Sequence, residues 1–248
     1  MNATRAEKDA IDAASGGRDK RSYVRAMFSE IAPRYDLLNH LLSFNIDRRW
    51  RTKAIAALGW QRQPEGLYLD LCAGTLDVAI ELAQQQGFHG RILGADFAEG
   101  MLRAGKSKTG KKAVFALNAD ALSLPLSAAS VDGAIVAFGV RNLTDLDAGL
   151  QEVARILRPG GRFVILEFTT PPSAFIRAVH GFYSNRVLPV IGGLISGSRG
   201  AYRYLPESIA RFPAAEELGR RLQAAGFKDV SWELLTLGTV AIHRATRI

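Results

Sequence analysis

Residues 67–75 read Leu67-Tyr-Leu-Asp-Leu71-Cys-Ala-Gly74-Thr75, and this stretch decides the fold class. Leu67 to Leu71 is a short apolar run that ends in a glycine turn, and Leu76 to Gln86 then repeats its apolar residues every three or four positions. A buried strand followed at once by an amphipathic helix opens a parallel sheet covered by helices. The alternation continues outward with predicted strands at Arg91 to Asp96, Ala113 to Leu117, Val131 to Phe138 and Arg162 to Phe168, and predicted helices at Glu99 to Lys108 and Asp145 to Leu157.

The last part of the chain predicts a hairpin. A predicted helix at Ala214 to Ala225 precedes two β-rich runs, Val230 to Thr236 and Thr239 to Ala245, which are separated by only two residues. So short a connection joins antiparallel strands, because a parallel crossover needs a dozen residues or more. We therefore expect an α/β fold with a Rossmann-like, seven-stranded sheet that is mostly parallel, has an antiparallel end strand and carries helices on both faces.

Length and composition predict one globular domain. The chain has 248 residues, of which 48% are hydrophobic and 23% charged, enough apolar material for a sizeable core. We expect a single domain over residues 23–248, with an N-terminal helical cap at residues 23–60 and a lid-like insertion at residues 171–206. Residues 1–22 mix charged side chains with Ala, Ser and Gly and read as a mobile tail.

Charge and cysteine content limit the classes of protein to which the chain can belong. The net charge of +8 favours anionic partners, although it also occurs as plain solubility charge. The single cysteine, Cys72, cannot form an internal disulfide, which excludes a disulfide-stapled secreted module. No run of 18 apolar residues and no secretory signal is visible, so we expect a cytoplasmic protein. The four histidines show no metal-ligand spacing, and no metal is expected.

The predicted ends of three strands point to a nucleotide-like ligand. Gly74 lets a ligand approach the backbone, and Asp96, 22 residues later, can accept hydrogen bonds from ribose hydroxyls. Asn118 can reach an adenine edge. The alternative is that these residues are ordinary turn formers at strand ends. The loop lacks G-x-G-x-x-G, so a ligand without phosphates fits better than a dinucleotide.

Longer segments resemble a known family. Asp70-x-x-x-Gly74, Asp96, Asn118-Ala-Asp120 and Leu157-Arg-Pro-Gly-Gly161 resemble successive motifs of class I S-adenosylmethionine-dependent methyltransferases. Other segments are similar to the ubiquinone/menaquinone biosynthesis C-methyltransferase family, over about residues 23–247. These are Phe28-Ser-Glu-Ile-Ala-Pro-Arg-Tyr-Asp-Leu-Leu-Asn39, Leu42-Ser-Phe44, Asp47-x-x-Trp50-Arg51, Phe138-Gly-Val-Arg-Asn142, Leu166-Glu-Phe168 and Tyr202-x-Tyr204-Leu-x-Glu-Ser208.

The resemblance implies a reaction and a set of cofactor contacts. The methyl donor would be S-adenosylmethionine and the acceptor a ring carbon of a prenylated quinol, either demethylmenaquinol or a 2-polyprenyl-6-methoxy-1,4-benzoquinol. Besides Gly74, the expected cofactor contacts are Thr75, Asp96, Asn118 and Ala119. The family commonly has Gly-Gly-Thr-Gly-Asp where this chain has Ala73-Gly74-Thr75-Leu76-Asp77, and many members have a serine at the position of Ala137.

Candidate catalytic residues follow the fourth predicted strand. A quinol carbon becomes a good nucleophile when an adjacent hydroxyl loses its proton, so the site needs a group that stabilises a phenolate. On physical grounds we give Arg141 this role, directly or through a bound water, with Asn142 orienting it. The alternative is that Arg141 forms a structural pair with a carboxylate, for which Glu167 is a guess. Further candidates are Tyr183 and Tyr35 for substrate contact, and His180 and Tyr183 for accepting the proton.

Two interpretations of the insertion and three of the function remain open. Apolar residues recur between Phe175 and Leu194 with arginines nearby, which fits either a lid on an anionic bilayer or packing on the sheet.

The hypotheses for partners are peripheral contact with the inner face of the cell membrane and a homo-oligomer. No nucleic acid is expected, because Lys and Arg are spread along the chain. The functional alternatives are a methyltransferase of RNA or another small molecule, and a non-catalytic nucleotide-binding subunit.

Overall fold

The computed structural model describes residues 5–17, 19–37, 43, 45–110, 112–182 and 199–248. Its strands are β1 (Leu67–Leu71), β2 (Arg91–Asp96), β3 (Val114–Asn118), β4 (Val131–Ala137), β5 (Leu157–Phe168), β6 (Phe227–Leu235) and β7 (Val240–Arg247). They form one sheet in the order β3-β2-β1-β4-β5-β7-β6. Strands β1 to β5 pair in parallel, and β7 is antiparallel to both β5 and β6. The predicted fold class and the predicted hairpin are confirmed.

Helices cover both faces of the sheet. They are α1 (Arg5–Ala14), α2 (Lys20–Ile31), α3 (Ile46–Leu58), α4 (Asp77–Ala83), α5 (Glu99–Thr109), α6 (Leu146–Ile156), α7 (Ala174–Phe182), α8 (Arg199–Arg211) and α9 (Ala215–Ala224). Short 3-10 turns lie at Ala32–Arg34, Trp60–Arg62, Val140–Asn142 and Thr236–Gly238. The four helices that the sequence predicts between strands begin within one residue of their predicted starts. At α6 the reason is a helix cap, because the Asp145 carboxylate accepts a 3.0 Å hydrogen bond from the Ala148 N–H.

The central strands are buried on both sides. Leu69 and Val136 belong to the apolar cluster on one face of the sheet, and Tyr68 and Ile135 belong to the cluster on the other face. Since successive side chains of a strand point to opposite faces, both sides of β1 and β4 must be apolar. This is why these strands read as continuous apolar runs.

Strand β5 starts earlier than its sequence predicts. Arg158-Pro159-Gly160-Gly161 predicts a helix stop and a turn before Arg162, and α6 does end here. Leu157 nevertheless already pairs with Val131, and the pairing resumes between Arg162 and Gly133 after a register shift. Gly160 has a φ of +80°, so the glycine segment is an irregularity within the strand.

The structure corrects the expected mobile tail at residues 1–22. Helix α1 lies within this segment, and its Ala10, Ala13 and Ala14 are buried in a cluster with Ala201 and Tyr204 of α8. Helix α2 begins at Lys20. Three alanines on one face of α1 form a small apolar surface that packs closely. The composition of the segment does not reveal this surface, because charged residues surround the alanines in the sequence.

The expected cap and insertion are helical where they are described. The cap contains most of α2, the Ala32–Arg34 turn at the predicted Pro33 break, and α3. The insertion contains α7 and the start of α8. Residues 38–42, 44 and 183–198 lie outside the described residues, and with them most of the predicted apolar stripe. Within the described part of the chain, no helix is both long and apolar enough to cross a membrane.

Candidate active site

The loop after β1 forms the floor of the candidate site. Cys72, Gly74 and Leu76 all have positive φ, at +53°, +52° and +66°. Glycine adopts this conformation freely, whereas cysteine and leucine adopt it only when surrounding contacts hold them there. One such contact is a 2.9 Å hydrogen bond from the Gly74 N–H to Asp96 Oδ2, which fixes this loop to the end of β2.

Asp96 is a buried carboxylate at the end of β2, with 8% of its surface exposed. Its Oδ1 accepts a 2.8 Å hydrogen bond from the Ala98 N–H. Burial raises the pKa of Asp96, while backbone N–H groups, including those of Ala98 and Gly74, oppose that rise. Each carboxylate oxygen has two lone pairs, so both oxygens can accept one hydrogen bond more.

A cavity open to solvent lies above this floor, at the carboxyl edge of the parallel strands. Its position is the usual ligand position of open α/β sheets. The residues that line it are Arg21, Phe28, Tyr35, Cys72, Gly74, Asp96, Phe97, Met101, Ala119, Asp120, Ala121, Leu122, Ala137, Phe138, Gly139, Asn142, Leu143 and Thr144.

Leu76 replaces a glycine of the family pattern, yet it does not enter the cavity. Its side chain is fully buried in the core cluster that also contains Ile92 and Leu102. A Cβ added to Gly94 would lie 2.2 Å from Leu76 Cδ2, so the leucine side chain fills the space over this glycine of β2. The larger residue is therefore accommodated in the core below the floor.

Two predicted cofactor contacts lie off the cavity wall. The Thr75 hydroxyl donates a 2.5 Å hydrogen bond to Asp36 Oδ1, and the Asn118 amide donates a 2.9 Å hydrogen bond to the Asp96 carbonyl oxygen. Neither residue is among those that line the cavity, whereas Gly74, Asp96 and Ala119 are. In this structure Thr75 is buried and Asn118 is exposed, and each makes a hydrogen bond to a residue of the site region.

A network of charges holds the Tyr35 segment over the floor. Lys108 of α5 lies 2.7 Å from Asp36 Oδ2 and 2.6 Å from Asp77 Oδ1, and Arg51 of α3 lies 3.0 Å from the other oxygen of Asp77. Tyr35, the predicted substrate contact next to Asp36, lines the cavity. The network therefore joins the helical cap to α4 and α5 beside the site.

Arg141 and Asn142 follow β4, and the structure separates their environments. The Arg141 side chain is only 6% exposed and lies 2.8 Å from the buried Glu167, whereas Asn142 lines the cavity. Arg141 itself is not among the lining residues. The structure thus contains the structural ion pair between Arg141 and Glu167 that the alternative interpretation describes. Burial raises the pKa of Glu167, and Arg141 opposes that rise.

Aromatic side chains stiffen the wall beside Asn142. Phe138 has a φ of +59°, an unusual value for a large side chain. Its ring centroid lies 4.7 Å from that of Phe168 and 6.0 Å from that of Trp50. These contacts hold Phe138 at the cavity in its strained conformation, as is common for residues of functional sites.

Some residues of the site come from segments that sequence reasoning did not connect with it. Arg21 of α2 forms a 2.8 Å ion pair with Asp120 at the cavity, although residues 1–22 read as a tail. Lys20 and Tyr204 both contact the segment of Arg141 and Asn142. The signals for Asp120 are its position just after β3 and its place in the Asn118-Ala-Asp120 segment of the resemblance, whereas nothing in the sequence marks Lys20.

Two predicted residues cannot be placed. Tyr183, the candidate substrate contact and proton acceptor, lies outside the described residues, as does the side chain of His180. Among the described residues, no group of three or more His, Cys, Asp or Glu could hold a metal ion.

Comparison with known proteins identifies the family. The ubiE/COQ5 methyltransferase family matches residues 16–247. The chain belongs to this family. It is therefore a methyltransferase that uses S-adenosylmethionine, as the resemblance implied.

Individual relatives agree with this assignment. A demethylmenaquinone methyltransferase of Thermus thermophilus is 49% identical over 89% of this chain and 100% of its own length. A demethylmenaquinone methyltransferase of Deinococcus radiodurans is 45% identical over 89% of this chain and 91% of its own length. A ubiquinone/menaquinone biosynthesis C-methyltransferase of Geobacter sulfurreducens is 43% identical over 91% of this chain and 88% of its own length.

Solved structures share the fold at low sequence identity. A SAM-dependent methyltransferase from Thermotoga maritima has a TM-score of 0.57 at 20% identity, covering 88% of this chain and 100% of that one. One from Aquifex aeolicus has a TM-score of 0.54 at 20% identity, covering 74% and 83%. These likenesses support the fold alone.

Proposed function

We propose that the protein methylates a ring carbon of a prenylated quinol in menaquinone or ubiquinone biosynthesis. The names of its relatives give the substrate class, as demethylmenaquinone or as a ubiquinone/menaquinone precursor. The observation in this chain that carries the proposal is the cavity wall, because Phe28, Tyr35, Phe97 and Phe138 line the same cavity as Asn142. Aromatic faces suit a flat ring, and an amide suits its oxygen.

The floor of the cavity fits S-adenosylmethionine. When bound, this donor supplies an electrophilic methyl group on a positively charged sulfonium. Asp96 can accept hydrogen bonds from the two ribose hydroxyls. At Gly74, an added Cβ would lie 3.2 Å from Met101 Cε and 3.9 Å from Tyr35 Cε1, so a glycine is what keeps this part of the cavity open.

Asn142 is the proposed contact to the quinol oxygen. It lines the cavity, and its NH2 group can donate a hydrogen bond to an oxygen that becomes negative as the ring reacts. Arg141 is the proposed positioning residue behind it. Its Nη1 donates to Glu167 Oε1 and to the Phe138 carbonyl oxygen, and Arg141 is not among the residues that line the cavity, so we assign the guanidinium to holding the loop.

Asp120 is the proposed acceptor of the quinol proton. Of the two carboxylates on the cavity wall, Asp96 is buried and accepts backbone N–H groups through both oxygens. Asp120 accepts the Leu122 N–H at Oδ1, and its Oδ2 forms a 2.8 Å ion pair with Arg21, whose side chain is exposed. Because this partner lies in solvent, Asp120 is the carboxylate that can pass a proton on to water.

A methyl-transfer assay tests this function. Labelled S-adenosylmethionine would be offered with reduced demethylmenaquinol, a ubiquinol precursor and bulk RNA in parallel. We expect label in a quinol and none in RNA. Label in RNA alone would favour the RNA methyltransferase alternative, and bound donor with no transfer to any acceptor would favour the non-catalytic subunit.

We also propose a peripheral membrane contact, since a long isoprenoid tail resides in the bilayer. Phe175 of α7 and Leu237 are each 74% exposed. Gly238, which follows Leu237, lies against Pro172, which precedes α7: a Cβ added to Gly238 would lie 2.7 Å from Pro172 Cδ. The two segments are therefore in contact. Leu237 follows Thr236, whose hydroxyl accepts a 2.9 Å hydrogen bond from Trp50 Nε1, and Trp50 packs on the cavity-lining Phe138.

Basic residues flank this apolar pair. Arg177 is exposed and follows Phe175 on α7, and Arg48 and Arg49 are exposed on the first turn of α3, the helix that carries Trp50. Apolar side chains beside arginines suit the surface of an anionic bilayer. The contact would lie at the edge of the sheet where the cavity opens.

Vesicle co-sedimentation tests the membrane contact. We expect the protein to sediment with anionic vesicles, and the Phe175→Ser/Leu237→Ser double variant to stay in the supernatant. Phe115→Ser is the matched control, because Phe115 is an exposed phenylalanine of the edge strand β3, at the other end of the sheet. Equal binding by wild type and double variant would reject this surface.

A further inference from the structure

The backbone around Asn142 is clamped from outside the sheet. Lys20, the first residue of α2, is buried, and its ammonium group donates hydrogen bonds to the Arg141 carbonyl oxygen at 3.2 Å and to the Leu143 carbonyl oxygen at 2.6 Å. These two residues flank Asn142 in the chain. The ammonium therefore holds the backbone on both sides of the cavity-lining amide.

The side chain of Asn142 is held by a second residue. The Tyr204 hydroxyl of α8 donates a 3.1 Å hydrogen bond to Asn142 Oδ1, and Tyr204 is only 1% exposed. The amide oxygen accepts this hydrogen bond, and the NH2 group makes only a long one, at 3.5 Å to the Phe138 carbonyl oxygen. Since an NH2 group has two N–H donors, one of them is left for the cavity. Burial raises the pKa of Tyr204 to about 12, so its hydroxyl stays a donor at any practical assay pH.

We propose that Tyr204 and Lys20 are positioning residues that set the Asn142 amide with its NH2 group towards the quinol oxygen. The inference rests on the proposed function, because it names how that site is oriented. Lys20 lies on α2 and Tyr204 lies on α8. Their helices meet at the rings of Tyr23 and Tyr204, whose centroids are 5.9 Å apart.

The orientation has a chemical consequence. An amide can present either its oxygen or its NH2 group, and only the NH2 group stabilises a quinol oxygen that gains negative charge. Without Tyr204 the amide could turn its oxygen to the cavity, where it would repel that charge. Loss of the Tyr204 hydroxyl therefore acts on the reacting oxygen through Asn142, while the binding site of the methyl donor stays intact.

The test removes one hydroxyl at a time. Tyr204→Phe keeps the ring and deletes the hydrogen bond to Asn142. Tyr68→Phe is the matched control, because the Tyr68 hydroxyl is also a buried donor, to the Trp60 and Gln63 carbonyl oxygens, and it lies away from the cavity. We expect Tyr204→Phe to lower kcat about tenfold and to leave the Kd of S-adenosylmethionine within twofold, whereas Tyr68→Phe keeps the wild-type kcat.

A double-mutant cycle separates orientation from general stability. Asn142→Ala should lower kcat by about 100-fold, and adding Tyr204→Phe to it should lower kcat no further, because the group that Tyr204 orients is gone. Lys20→Met should behave like Tyr204→Phe in both backgrounds. If the losses multiply, or if the Tyr68 variant loses as much, Tyr204 is merely structural and the inference fails.

The spectrum of the Asn142 side chain gives a readout that does not depend on turnover. In protein labelled with 15N at asparagine, the Asn142 NH2 signals should shift in Tyr204→Phe and stay in place in Tyr68→Phe. Unchanged signals in both variants would overturn the inference even if the enzyme is active. Absence of quinol methylation in the wild-type protein would instead reject the proposed function, whatever the spectrum.

Discussion

Arg141 and Glu167 form a buried ion pair, with the guanidinium Nη1 2.8 Å from the carboxylate Oε1, and this pair joins the turn after β4 to the end of β5. The next residue along the turn, Asn142, lines the cavity. The Arg141 guanidinium is thus buried in an ion pair, while the residue beside it in the chain is the one at the cavity.

Glu167→Gln should destabilise the protein by about 3 kcal/mol or more, because it leaves a buried guanidinium without its counter-charge. Adding Arg141→Met should recover part of the lost stability, since it removes the unpaired charge. Urea unfolding of the single and double variants measures both effects. A double variant less stable than the single one would contradict the assignment of this pair.

Asp96→Asn should weaken S-adenosylmethionine binding by about 10- to 100-fold, because the neutral amide accepts hydrogen bonds from ribose hydroxyls less strongly than a carboxylate does. Titration calorimetry measures the Kd. Asp145→Asn makes the same chemical change at the cap of α6, where asparagine caps as well as aspartate, and should leave the Kd unchanged. Equal Kd values for the Asp96 variant and the wild type would remove Asp96 from the cofactor site.

Leu76→Ala should cost about 2–5 kcal/mol of stability, because Leu76 is fully buried in the core and its truncation leaves a cavity. The Kd of S-adenosylmethionine should stay within a few-fold of wild type, since the leucine side chain does not line the cavity. Thermal unfolding and calorimetry check the two parts separately. A large change in Kd without loss of stability would show that Leu76 meets the ligand after all.

Asp70→Asn should change how stability depends on pH. Asp70 is fully buried beneath α4, where its Oδ2 accepts a 3.0 Å hydrogen bond from the Ala79 N–H, and burial raises its pKa to about 8. Between about pH 4 and pH 8 the folded protein holds a proton on Asp70 that the unfolded chain releases. This group's contribution to stability is therefore full below about pH 4 and is lost as pH rises to about 8.

The asparagine variant stays neutral at every pH and keeps an oxygen for the Ala79 N–H. The free energy of unfolding of Asp70→Asn minus that of wild type should rise by about 1.4 kcal/mol per pH unit across the middle of this range. Urea unfolding at pH 5, 6 and 7 measures the difference. A difference that is constant with pH would mean that Asp70 is ionised in the folded protein.

Asp120→Asn should lower kcat by about 100-fold or more if Asp120 accepts the quinol proton. Arg21→Gln is the partner test, because it removes the ion pair and leaves the carboxylate in place. We expect the arginine variant to retain most of the activity. Similar losses in the two variants would indicate that the ion pair, and not proton transfer, is what the site needs.

The sequence predicts the sheet well because each strand carries its own local signal. β1 and β2 have their predicted bounds, since buried runs bounded by turn residues mark both ends. The start of β5 is missed because Gly160 and Gly161 are read as a turn, whereas the structure uses them in an irregular stretch of strand pairing. Strand pairing across the sheet is a long-range property that a local pattern does not contain.

The site is only partly predictable for the same reason. Gly74 and Asp96 lie where strand ends converge, which the alternation of strands and helices already implies. Lys20 sits between Asp19 and Arg21 and reads as solvent-exposed, and only the fold brings it to the Arg141 segment, 121 residues away in the chain. The burial of Arg141 against Glu167 likewise depends on the register of β4 and β5.

The position of the transferred methyl group distinguishes methylation of a ring carbon from methylation of a quinol oxygen. S-adenosylmethionine with a 13C-labelled methyl group would be reacted with the quinol acceptor, and the product examined by carbon NMR. We expect a methyl signal in the range of a methyl group on an aromatic carbon. A signal in the range of a methoxy group would mean that the enzyme methylates oxygen, and would contradict the proposed chemistry.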